Sequence, residues 1–182
     1  VAVEPPRMER QSVDAPFHFL YPRFTVLLSA GREDPNVMTA SWSTPLSIDP
    51  PLVGVVVAPE RHTHGLVEED GAFGVNVPDH DLVEESYFVG RNSGADVDKF
   101  AETGLTTFAG EETGTPLIEE CAAALECSLE KTLETGDHEV LVGRVEATYA
   151  HDDAVEDGWL ATDRALLWGN AGEKDVYGAE PR

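Results

Sequence analysis

Ser93-Gly94-Ala95-Asp96-Val97-Asp98-Lys99-Phe100 is the stretch on which the reading of this chain turns. A flexible Ser-Gly turn runs into a helix start, and a single lysine stands where the turn opens. Lysine is scarce, with Lys99, Lys131 and Lys174 the only three among 182 residues. In so acidic a chain, a cation at such a turn marks a place for an anionic ligand. Backbone N–H groups at a helix N-terminus favour a phosphate, and lysine adds a point charge. The competing reading is purely local: Ser93 or Asp96 caps a short helix and Lys99 is solvated.

The neighbouring segments read as short strands between turns. Phe24 to Ala30 is apolar and ends at Gly31, and Val37 to Ser43 is β-branched and small. Leu52 to Ala58 is a continuous apolar run after the rigid Ser47-Ile48-Asp49-Pro50-Pro51 connection, as expected of a buried strand. Thr63 to Glu69, capped by Thr63 and ended by Gly71, reads as a short helix, followed by a strand from Ala72 to Val77. Asp81 to Val89 and Asp96 to Glu102 are two more short helices. Pro116 to Ala122 reads as a short strand or turn. Cys127 to Leu133 and Glu139 to Ala150 form a hairpin around Thr135-Gly136-Asp137. A mainly β fold with a few short helices follows, closed or half-open as a barrel so that edges are not exposed. Residues 1–16 read as an irregular N-terminal arm, and 17–182 as a single domain.

Composition narrows the function classes. The formal charge is −23, from 35 acidic against 12 Lys and Arg residues, and the acids are spread along the chain. A nucleic-acid role is not expected, because phosphate contacts need a basic patch. Self-repulsion on such a surface is relieved by salt, which reads as adaptation to a halophilic, salt-rich cytoplasm. No apolar run approaches the ~18 residues of a membrane span, and no apolar signal core opens the chain, so a cytoplasmic location and no membrane partner are expected. Cys121 and Cys127 form no CxxC pair and are read as buried thiols. His62, His64 and His138 lack a convincing third ligand, so no metal is expected. No G-x-G-x-x-G follows a strand and no G-x-S-x-G elbow occurs.

Five segments in fixed order carry a resemblance: Met38-Thr39-Ala40-Ser41-Trp42-Ser43-Thr44-Pro45 with Asp49-Pro50-Pro51; Pro59-Glu60-Arg61-His62-Thr63-His64; Phe73-Gly74-Val75-Asn76-Val77; the Ser-Gly turn; and Gly136-Asp137-His138-Glu139-Val140. From about Phe19 to about Tyr149 the chain resembles the flavin reductase-like family of FMN-binding split β-barrels, which includes flavoredoxins and ferric reductases. The resemblance implies an oxidoreductase that passes electrons from NAD(P)H through FMN to free flavin, ferric iron or a protein acceptor. The alternative is a non-enzymatic flavin-binding electron-transfer protein. It implies FMN contacts at Thr39, Ala40, Ser41 and Trp42, a phosphate grip by Arg61, Thr63 and Lys99, and further contacts at Asn76 and Ser93. His138 falls on the substrate side of the flavin, with an idle hairpin histidine as the competing reading. A homodimer is implied as well. Some family members carry a cysteine upstream of the Ser-Gly turn; here the segment is Tyr87-Phe88-Val89-Gly90-Arg91-Asn92, which speaks against a thiol-assisted redox role.

Overall fold

Two strands separated only by Ser41 and Trp42 stand at opposite ends of one seven-stranded sheet, and this dictates the architecture. The computed structural model describes residues 16–161, 167–168 and 176–177. After a 3₁₀ turn at Pro16–Leu20, the first strands are β1 (Arg23–Phe24), β2 (Val26–Ala30), β3 (Asn36–Ala40), β4 (Ser43–Ser47) and β5 (Leu52–Val57). Helix α1 (His62–Asp70) leads to β6 (Ala72–Val77), then to α2 (Val83–Arg91) and α3 (Lys99–Thr103). Strands β7 (Thr107–Ala109) and β8 (Pro116–Ile118) pair with each other. The long β9 (Ala123–Thr135) and β10 (His138–Ala150) form the hairpin. Short strands β11 (Val155–Glu156) and β12 (Trp159–Leu160) pair together, while β13 (Leu167–Trp168) joins β1 and β14 (Val176–Tyr177).

The large sheet runs β3-β2-β6-β9-β10-β5-β4 and is antiparallel throughout. Laid flat, its edge strands would stand about 29 Å apart at the usual strand spacing. The link from Ala40 to Ser43 spans at most about 11 Å of extended chain. The sheet therefore curls until its edges meet through Ser41 and Trp42, with β3 against β5, and Val56 N–H donates to the Trp42 carbonyl at 2.8 Å as the next rung of the β4–β5 ladder. The result is a barrel closed at one point of its seam and open beside it.

Strands β2 and β6 are buried along their whole length because both faces are covered. Val26, Leu28, Val55, Phe73, Cys127 and Leu141 fill the barrel. Leu27, Val37, Val89, Leu105, Ile118 and Cys121 form a second core beneath α2 and α3. Both cysteines are buried and free, and burial pushes their thiols up, Cys121 out of the ordinary range and Cys127 to about 12. Gly143 is required by packing: a Cβ there would lie 2.4 Å from Phe73 Cζ.

Several elements differ from the sequence reading. Helix α3 begins at Lys99, not Asp96, because the Asp98 carboxylate accepts from Ala101 N–H and caps it. Thr63 lies inside α1, whose N-cap is Arg61. The strand β4 was not expected from Ser-Thr-Pro; proline is tolerated there because the strand is an edge and carries a register shift between Pro45 and Ser47. The N-terminal arm falls almost wholly outside the described residues.

Candidate functional site

The open part of the seam is a cavity of about 480 Å³, within the range of small-molecule sites. Its floor is the chain from Met38 to Trp42 together with Val56, Val57 and Ala58. Arg61, Thr63 and Lys99 stand at one end, and Trp42 and His138 also line it. The fold thus brings together Thr39, Ala40, Ser41, Trp42, Arg61 and Thr63, with Ser93, Lys99 and His138, although a hundred residues separate the first from the last.

The cationic end is built from three elements. Helix α1 starts at the cavity, and its N-cap, Arg61, makes no side-chain cap. His64 N–H bonds the Arg61 carbonyl, which leaves the earliest N–H groups of the helix, those of His62 and Thr63, without intrahelical partners. Thr63 is buried, and its Oγ1 accepts from Asn36 Nδ2 at 2.7 Å. Its own hydroxyl proton is therefore free for a ligand. Among the described residues the Arg61 guanidinium has no hydrogen-bond or ion-pair partner. Lys99 is only 4% exposed, and its Nζ donates to Val37 O at 2.7 Å and Val89 O at 2.8 Å. An ammonium carries three protons, so one remains. Burial, and then the nearby Arg61 charge, hold the Lys99 pKa down to about 8. Two cations thus sit together without a neutralising carboxylate bonded to either, in a chain of net charge −23. Glu60 and Asp96 also line the cavity.

The Ser-Gly turn is held by close approach. A Cβ on Gly94 would lie 2.1 Å from Asn36 Oδ1, so only glycine admits the contact. Ser93 Oγ accepts from Ala95 N–H, and its carbonyl receives Asp96 and Val97 N–H. Asn36 therefore links the strand, the turn and Thr63. Sequence reasoning missed it because its partner Thr63 is 27 residues away and meets it only in the fold.

At the other end, the Trp42 and His138 rings lie against each other, centroids 5.0 Å apart and tilted by 36°. Trp42 Nε1–H donates to Tyr21 OH at 3.2 Å. His138 Nδ1 is 2.8 Å from Asp137 Oδ1, and this bond holds the Asp137 carboxyl below its ordinary range. The partner on Nδ1 leaves Nε2 of His138 for other contacts.

Two expectations need correction. Asn76 is fully buried; its amide donates to Leu27 O and Ser29 Oγ, and its carbonyl accepts from Ile118 N–H. It ties β2, β6 and β8 together and does not line the cavity. The Thr39 hydroxyl donates to the Ser86 carbonyl and so offers no proton to the cavity. His62 and His64 lie on helix α1, and His64 Nε2 is 2.7 Å from Glu139 Oε2.

A curled barrel with an open seam, a wall of small residues and an anion-seeking end defines the split-barrel class. The flavin reductase like domain matches residues 18–175, and the chain belongs to the flavin reductase-like family. Flavoredoxin from Methanosarcina acetivorans has a similar structure, with a TM-score of 0.86 at 28% identity over 96% of this chain and 94% of that one. An FMN-binding protein from Thermus thermophilus with bound 1-cyclohex-2-enone gives a TM-score of 0.84 at 31% identity, covering 97% and 98%. An NADH-dependent FAD reductase from Streptomyces globisporus is 30% identical over 126 residues, 69% of this chain and 68% of its own.

Proposed function

We propose that this chain is an FMN-binding oxidoreductase that takes electrons from NAD(P)H and passes them to free flavin, ferric iron or a protein acceptor. The observation that carries the reading is the unneutralised pair Arg61 and Lys99 beside the uncapped start of α1. That donor set suits a terminal phosphate dianion, and the adjoining cavity suits a flat ring system. Arg61, the free proton of Thr63, the third proton of Lys99 and the first N–H groups of α1 hold the phosphate. Thr39, Ala40 and Ser41 let the backbone approach the ring edge, and Trp42 covers its end. Ser93 fixes the turn that closes the phosphate end. A bound flavin would accept a hydride from the nicotinamide and pass its two electrons on, singly where the acceptor is ferric iron. His138, oriented by Asp137, faces the position of the incoming donor or acceptor.

The likeness to flavoredoxin supports a second reading, a flavin-binding electron carrier without its own turnover of NAD(P)H. Steady-state NAD(P)H oxidation with FMN and a ferric chelate separates the two. Turnover supports the enzyme; flavin binding without turnover supports the carrier. A homodimer is part of the proposal. Its support is the apolar surface around β4, where Ile48 is 96% exposed beside a groove of about 460 Å³ lined by Phe24, Leu52, Val53 and Val145.

A further inference from the structure

Two consecutive residues at the start of α1 reach to different strands. Thr63 Oγ1 accepts from Asn36 Nδ2 at the head of β3. His64 Nε2 lies 2.7 Å from Glu139 Oε2 on β10. In the sheet, β2, β6 and β9 stand between those two strands. His64 is only 8% exposed, and neither it nor Glu139 lines the seam cavity. The pair therefore stands behind the site and not in it. We propose that His64 and Glu139 are positioning residues, whose bond holds the phosphate-gripping start of α1 against the strand that carries His138. The proposal rests on the flavin reading above.

The two ends of α1 are secured differently. At the far end, the Asp70 carboxylate accepts from Gly31 N–H at 3.0 Å and Arg32 N–H at 2.9 Å. Glu68 there accepts from the Thr132 hydroxyl, and Val67 is part of the barrel core. At the start, Arg61 makes no side-chain cap. Among the described residues, the long-range side-chain bonds of that first turn are those of Thr63 and His64. One tether lets a turn pivot; a second, to another strand, fixes it. Fixing matters here because Arg61, the Thr63 hydroxyl and the first N–H groups of the helix must converge on one phosphate. Such a constellation works when held to within about 0.5 Å. On the other side of the bond, Glu139 pairs with Val57, which lines the cavity floor, and directly follows His138. The bond thus spans from the cationic end of the cavity to the strand of the ring end. Its loss leaves the anchors at Val67, Glu68 and Asp70 in place, so the helix survives while its start loosens.

FMN and riboflavin dissociation constants are read by flavin fluorescence on the full chain, per folded molecule, with urea unfolding beside them. His64→Ala and Glu139→Ala are each expected to weaken FMN about tenfold and to leave riboflavin, which has no phosphate, within about twofold. The double variant is expected to match either single one, because both act through one bond. His64→Gln, whose amide still donates to Glu139, is expected to bind FMN within about twofold of wild type. FMN affinity unchanged in Glu139→Ala would overturn the proposal even with His64→Ala weakened, since repulsion by the released carboxylate would then be the cause. Additive losses in the double variant, no rescue by Gln, or riboflavin falling in parallel with FMN would overturn it too. Each of these leaves the flavin reading standing. Failure of the wild type to bind FMN would remove the flavin reading and the positioning role together.

Discussion

Raising the pH through the Lys99 transition should release the phosphorylated flavin without loosening the protein. Lys99 ionises at about 8 in the free protein, against an ordinary value of 10.5. A bound phosphate dianion stabilises the ammonium and returns its pKa toward that value. If the return is complete, linkage makes FMN bind about thirtyfold more weakly at about pH 9.5 than at about pH 7. The neutral amine still has two protons for Val37 O and Val89 O, so only the charge and the third proton are lost. The second phosphate ionisation lies near 6, below this window.

Stability of the flavin-free protein moves the other way. A lowered lysine pKa means that the unfolded chain binds more protons between about 8 and 10.5, so this contribution is present above 10.5 and is lost as pH falls through about 8. The assay is flavin fluorescence titration across the pH series, with riboflavin, which lacks the phosphate, as control. An FMN affinity that stays flat from about pH 7 to about pH 9.5, or riboflavin falling in parallel, would refute the reasoning.

Arg61→Ala should weaken FMN by about 1.5–3 kcal/mol, the range for charge-assisted hydrogen bonds, and leave riboflavin unchanged, as measured by the same titration. Asn76→Ala strands the three buried partners of that side chain and should cost about 3 kcal/mol or more of stability in urea unfolding, with flavin affinity per folded molecule unchanged. The melting temperature should rise with KCl from dilute to molar, because screening relieves the repulsion of the −23 chain; a flat or falling series would show that acidic repulsion does not limit stability. Sedimentation in high salt should give twice the 19.7 kDa chain mass, and a monomer would refute the dimer.

Local patterns were enough for the hairpin, the strands at Leu52–Val57 and Ala72–Val77, and the helix ended by Gly71, because glycine turns and apolar runs are local signals. The closure of the barrel was not local: it depends on β3 and β4 being neighbours in sequence and opposite in the sheet. The cationic end was half legible. Arg61 and Thr63 came from the resemblance carried by Pro59 to His64, and scarcity drew attention to Lys99. Its two bonds to backbone carbonyls came only with the tertiary fold. Asn76 misled because a polar residue in an apolar strand reads equally as a ligand contact or as a buried tie, and only its three partners decide.

The central claim is the seat of the flavin, and a crystal structure of the protein soaked with FMN tests it most directly. The account predicts the isoalloxazine along Thr39, Ala40 and Ser41, with the phosphate within hydrogen-bond distance of Arg61, Thr63 and Lys99 at the start of α1. A phosphate in solvent away from these residues, or a flavin seated outside the seam, would contradict it.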